Sequence, residues 1–149
     1  MPKIILLVED SEDDIFLMRR ALKLARISNP LQVVCNGQQV IDYLDGNGAY
    51  ADRKIYPLPS VIFMDIKLPH IHGFEVLAWM QQRPEFHDIV TIILTSSPGE
   101  KDQERAVELG ASGYLVKPPN PKMLVDVFDA IKTLREAVQQ TLPATSHTG

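Results

Sequence analysis

Asp65 closes the apolar run Val61–Met64, and short apolar runs ended by chemically capable polar groups recur along the chain. Ile4–Val8 ends in Glu9 and Asp10, Thr91–Leu94 in Thr95, Ser96 and Ser97, and Gly113–Val116 in Lys117. Brought to one place, these residues amount to three carboxylates, a hydroxyl and an ammonium. Clustered carboxylates repel one another and raise each other's pKa unless a cation compensates. A hard divalent ion such as Mg²⁺ does this through oxygen ligands and keeps positions open for phosphate oxygens. The chemistry that fits is in-line phosphoryl transfer to a carboxylate oxygen, since carboxylates are nucleophiles for aspartyl-phosphate formation. The metal and Lys117 would offset charge on the transferring oxygens. Thr95 would hydrogen-bond a phosphoryl oxygen once the bond has formed.

Each residue alone has a plainer explanation. An acid at a strand end is ordinarily solvated or caps a helix. Asp10 and Ser11 would serve as caps of a first helix, Thr95, Ser96 and Ser97 as caps of a fourth, and Lys117 as a surface cation. The joint pattern is harder to dismiss, because every strand end except the second carries a compatible group.

The elements that must position these groups follow from hydrophobic periodicity. Continuous apolar runs read as strands buried on both faces: Ile4–Val8, Leu31–Cys35, Val61–Met64, Thr91–Leu94 and Gly113–Val116. Between them lie helical patterns over Asp13–Ala25, Gly37–Leu44, Gly73–Gln82, Glu100–Leu109 and Pro121–Gln140. The first helix carries Ile15, Phe16, Met18, Ala21, Leu22 and Ala25 at helical spacing, and acids crowd its first turn. Pro84 stops the third, and Gly110 is placed to end the fourth in a left-handed cap. The last has Leu124, Val127, Phe128, Ile131, Leu134 and Val138 on one stripe, with Val125, Ala130 and Ala137 off it. Asp45–Ser60, with Gly46, Gly48, Pro57 and Pro59, reads as a long irregular loop. Five strand–helix repeats predict an α/β, doubly wound, five-stranded parallel sheet with flanking helices. Its ligands would sit at the carboxyl ends of the strands.

Composition sets the outer limits. The chain has 149 residues, 45% hydrophobic, enough for one domain with its own core. Its net charge is −4 with no basic block, which disfavours nucleic-acid binding. A lone cysteine, Cys35, allows no internal disulfide and fits a reducing, cytoplasmic setting. No stretch is long enough for a signal peptide or membrane span. A single domain over 1–140 and a flexible polar tail over 141–149 are expected.

The sequence also resembles the receiver domains of two-component response regulators. The matching motifs are LLVEDSEDD, FMDIKLPHIHG, ILTSS and YLVKPP, in order from about Lys3 to Gln140. The resemblance implies a flavodoxin-like fold with strand order 2-1-3-4-5. It implies that Asp65 is the phosphoacceptor, that Glu9 and Asp10 are the metal-binding pair, and that the backbone carbonyl of Lys67 completes the Mg²⁺ ligands. Thr95 matches the switch hydroxyl, Lys117 the lysine that contacts the phosphoryl group, and Tyr114 the aromatic whose rotamer accompanies activation. A cis Lys117–Pro118 bond is implied as well. The partner implied is a sensor histidine kinase.

Two departures from the family pattern stand out. The interval from Asp10 to Asp65 is longer than in compact members, and the excess falls in Asp45–Ser60, away from the site. With GAYADRKIYPLPSVIFMDIKLP and LREAVQQTLP, it is similar to phytochrome-associated regulators, which implies a bacterial phytochrome as the kinase. His70 and His72 occupy the loop before Gly73; an exposed loop is favoured there over a second metal site.

A haloacid-dehalogenase-like phosphatase also uses an aspartyl nucleophile after a strand, but needs an acid two residues later, where Lys67 stands. A flavodoxin-like nucleotide binder would need a phosphate loop after the first strand, and VEDSEDD would repel phosphate. The expected output is therefore protein–protein contact or relay to a histidine phosphotransfer protein. A homodimer through the fourth helix, fifth strand and fifth helix is the expected assembly.

Overall fold

In the computed structural model of the protein, residues 4–96 and 99–141 are described, the side chains of 100 and 133–141 apart. Ser97 and the tail beyond residue 141 lie outside the described residues, as do the side chains of Leu134, Ala137 and Val138. Among the described residues five strands form one sheet: β1 (Ile5–Val8), β2 (Leu31–Val34), β3 (Val61–Asp65), β4 (Val90–Thr95) and β5 (Gly113–Val116). Their order is β2-β1-β3-β4-β5, and every pairing is parallel. Five α-helices among the described residues cover the sheet: α1 (Glu12–Leu24), α2 (Gly37–Asp45), α3 (Gly73–Gln81), α4 (Glu100–Glu108) and α5 (Pro121–Thr141).

The apolar strands divide by the pleat, because successive side chains point to opposite faces. Leu6, Val8, Ile62 and Met64 pack with Val40, Tyr43 and Leu77 on one face. Ile5, Leu7, Val61 and Phe63 pack with Met18, Leu22 and Leu124 of α1 and α5 on the other. Val8 pairs with Val34 and Met64, Asp65 with Leu94, and Thr95 with Val116. The carboxyl ends of β1, β3, β4 and β5 are thereby brought to one edge of the sheet.

Three features depart from the sequence reading. Phe16 does not join the buried stripe of α1 but is 61% exposed, since Met18, Ala21 and Leu22 already fill the contact with the sheet. The fourth helix takes Gly99 as its N-cap, without a side-chain bond, rather than Thr95 or Ser96.

The third is the segment after α2, which is organised by its own side chains. Gly46, at φ 69°, closes α2 in the left-handed region, and Gly48–Tyr50 forms a short 3-10 turn. The Arg53 guanidinium donates to the carbonyls of Tyr43 (2.7 Å), Leu44 (2.6 Å) and Tyr56 (3.0 Å). Two of these belong to the last turn of α2, whose carbonyls lack partners within the helix. Tyr43, Tyr50 and Tyr56 meet pairwise with centroids 5.1–5.9 Å apart, and the Tyr43 hydroxyl donates to the Pro57 carbonyl at 2.9 Å.

Candidate functional site

At the carboxyl edge of the sheet, the residues that ended the apolar runs come together. Glu9 continues β1 by one residue, its amide donating to Val34 O at 3.0 Å, and its side chain is buried. Glu9 Oε2 accepts from the amides of Asp10 (3.1 Å) and Ser11 (3.3 Å), while Oε1 accepts from Lys117 Nζ. Glu9, Asp10 and Asp65 each offer an oxygen, and all three lie within 4.8 Å of one another. Among the described residues no other cluster of acids, histidines or cysteines has this geometry. Asp10 is exposed, so the cluster opens to solvent on one side.

Lys117 enters from the end of β5, where its amide donates to Thr95 O at 2.7 Å and the Lys117–Pro118 peptide is cis. Its Nζ donates to Asp65 Oδ2 at 2.8 Å and to Asp14 Oδ2 at 3.0 Å, besides Glu9. An ammonium has three N–H donors, and all three are engaged. Thr95 is buried at the end of β4. Tyr114 is half-buried on β5 and packs against the core beneath α2, α3 and α4.

Asp14 is the residue the sequence reading missed. It lies in the first turn of α1, where acids are favourable toward the positive end of the helix, and that sufficient reason hid its other role. The one available signal was its position: four residues beyond Asp10, on the turn of helix facing the strand ends.

The loop after β3 is tied back to the sheet. The Lys67 amide donates to Asp65 Oδ1 at 3.0 Å, and the Gly73 amide donates to Ile66 O at 2.9 Å. His70 takes φ 68°, and His72 caps α3, its Nδ1 accepting from the Phe74 amide at 3.1 Å. His72 has a helix-capping role in this loop, and neither histidine joins the acid cluster.

Electrostatics follow from burial. Desolvation pushes the Glu9 carboxyl above its ordinary value, against the pull of the Lys117 ammonium beside it. For Lys117, burial favours the neutral form, but the carboxylates of Asp65, Glu9 and Asp14 outweigh it and hold the amine well above the usual lysine value. One ammonium faces four carboxylates here, and the uncompensated charge together with the converging oxygens fits a divalent cation. The arrangement suits a nucleophilic carboxylate with a cation on either side.

The comparisons with known proteins agree with this geometry. Residues 5–129 match the response regulator receiver domain family. The chain is 37% identical over 144 residues to response regulator Rcp1 of Synechocystis sp., covering 96% of this chain and 95% of that protein. Among solved structures, the bacteriophytochrome response regulator RtBRR superposes with a TM-score of 0.79 at 38% identity, over 88% of this chain and 78% of that one. The Mn²⁺-bound form of Rcp1 gives 0.71 at 34% identity, over 95% and 98%.

Proposed function

The chain belongs to the response regulator receiver family and signals by phosphorylation, and from that premise we propose that Asp65 is its phosphoacceptor. The donor class is a sensor histidine kinase. The N–P bond of a kinase phosphohistidine breaks as an Asp65 oxygen forms the O–P bond, and the imidazole leaves with the electron pair. The observation that carries this reading is Lys117 Nζ, 2.8 Å from Asp65 Oδ2 within a group of converging acids. From there the ammonium meets charge on the transferring phosphoryl oxygens.

Receiver domains hold a divalent metal at this acidic pocket. The finer proposal is Mg²⁺, bound by Glu9, Asp10, Asp65 and the Lys67 carbonyl, with Asp10 the more direct of the acidic pair. When bound, the ion neutralises carboxylates and phosphoryl oxygens. Thr95 hydrogen-bonds the phosphoryl group, and Tyr114 reports it by its rotamer. Family members are signalling proteins rather than enzymes; this chain catalyses only its own phosphorylation and dephosphorylation.

Relatives described as phytochrome response regulators support a bacterial phytochrome as the kinase. A homodimer through α4, β5 and α5 is the proposed assembly; on the β5–α5 side of that face lies an apolar pocket lined by Tyr114, Leu115, Val127 and Ile131. A histidine phosphotransfer protein is the alternative receiver of the signal. No described helix is long and apolar enough to cross a membrane, which suits the proposed cytoplasmic location.

Incubation with acetyl phosphate and Mg²⁺ tests the central reading. The wild-type chain gains the mass of one phosphoryl group and Asp65→Asn does not; equal labelling of the two overturns it. Sedimentation in both phosphorylation states tests the dimer, which only-monomeric protein at micromolar concentration would refute.

A further inference from the structure

We infer that Asp14 is a positioning residue for Lys117, anchoring the ammonium from outside the metal and phosphoryl centre. The inference rests on the reading of Asp65 as phosphoacceptor.

Asp14 has an ordinary alternative that it does not take. Ser11 caps α1 by accepting from the Asp14 amide at 3.3 Å. An acid three residues after such a cap usually closes the motif by accepting from the cap's own amide. Here the Ser11 amide is given to Glu9 Oε2, and the Asp14 carboxylate turns instead to Lys117 Nζ at 3.0 Å. Asp14 and Lys117 also line one small recess, with Leu17, Met18 and Pro118.

The consequence appears when the phosphoryl group arrives. Lys117 must then donate to a phosphoryl oxygen, giving up its present bond to Asp65 Oδ2. Glu9 is also committed, because it belongs to the group that would hold the cation. Asp14 is the one partner whose bond need not change. A lysine side chain carries substantial rotamer freedom on its four-carbon stem, so a fixed third contact keeps Nζ over the reacting carboxyl through the exchange. Asp14 also adds negative charge near an anionic group. That charge faces Lys117 at hydrogen-bond distance, and the inference requires its hold on Nζ to outweigh the repulsion.

The test uses the full chain with Mg²⁺ and beryllofluoride, a phosphoryl stand-in, in a double-mutant cycle. Asp14→Ala weakens beryllofluoride binding roughly tenfold, and Asp14→Asn, which keeps an oxygen acceptor, falls between it and wild type. In a Lys117→Ala background the Asp14 substitution changes binding less than about twofold. Equal losses in both backgrounds would mean that Asp14 acts only through α1, and would overturn the inference.

The ¹⁵N–¹H signal of the Lys117 ammonium gives an independent reading. It is held against exchange in the wild type and lost in Asp14→Ala; an unchanged signal overturns the inference even where Lys117→Ala binds nothing. Failure of the wild type to bind beryllofluoride would instead sink the phosphoacceptor reading and leave this signal to decide the role of Asp14.

Discussion

A Cβ placed on Gly73 would stand 2.9 Å from the carbonyl oxygen of Asp65 and 2.8 Å from Ile66 Cα. Both are backbone atoms at the end of β3, so neither can swing aside as a side chain would. The start of α3 is thus pressed against the peptide that aims the proposed phosphoacceptor.

Gly73→Ala is expected to destabilise the fold by about 1–3 kcal/mol through overpacking and to slow phosphorylation by acetyl phosphate. Gly48→Ala is the control. Its Cβ meets open space, and only its φ of 54° is strained, so it should cost about 1 kcal/mol and leave phosphorylation unchanged. Urea midpoints and labelling rates of the two variants separate these outcomes.

Mg²⁺ should raise the melting temperature of the wild-type protein, because it binds a charge cluster that the unfolded chain does not assemble. At a hundred times the dissociation constant the gain is about 2.7 kcal/mol, a shift of several degrees for a chain of this size. Asp10→Asn should lose most of that shift while retaining the metal-free melting point, since Asp10 is exposed. A scanning calorimeter, with and without chelator, reads both.

Lys117→Met removes the cation from a buried, hydrogen-bonded network and leaves Glu9 uncompensated. Removing one partner of such a pair typically costs about 3–5 kcal/mol. Because Mg²⁺ would supply positive charge to the same carboxylates, millimolar metal should return part of the loss. Chemical denaturation in chelator and in Mg²⁺ tests the sign of that rescue.

Arg53→Ala removes a donor from the carbonyls of Tyr43, Leu44 and Tyr56 at once and should cost about 2 kcal/mol. Arg53→Lys should recover little, because an ammonium cannot reproduce the planar fork of a guanidinium. Neither change should alter the rate at which Asp65 is labelled, which a stability assay run beside a phosphorylation assay would check.

Burial pushes the Tyr43 hydroxyl up to about 12. The fold favours the neutral phenol, so this stabilisation is present below the ordinary tyrosine value near 10 and is lost as pH rises from there toward 12. Absorbance titration at alkaline pH should show a late phenolate step that is missing from Tyr43→Phe. A single step at the ordinary value would contradict the buried placement.

Much of the site could be read from the sequence because its parts punctuate the chain. Parallel strands are buried on both faces, so a polar residue at the end of an apolar run marks a strand's carboxyl end. Asp65, Glu9, Asp10 and Lys117, which meet at the sheet edge, were visible for that reason, and the sheet followed from the same runs. Asp14 was hidden because an acid in a helix's first turn already has a sufficient local explanation. Phe16 was misplaced because periodicity shows which residues share a face, but not how much of that face the sheet can cover. Arg53 was silent because its three acceptors are backbone carbonyls, which leave no mark in the side-chain sequence.

The site's groups are spread along the chain from Glu9 to Lys117, and that spacing has a consequence during biosynthesis. A ribosome that has delivered β1 and β3 but not β5 leaves the nascent chain with its acids ready to gather and no lysine to sit among them. At that stage the chain itself supplies no counter-charge to those carboxylates. Lys117 arrives last and supplies it.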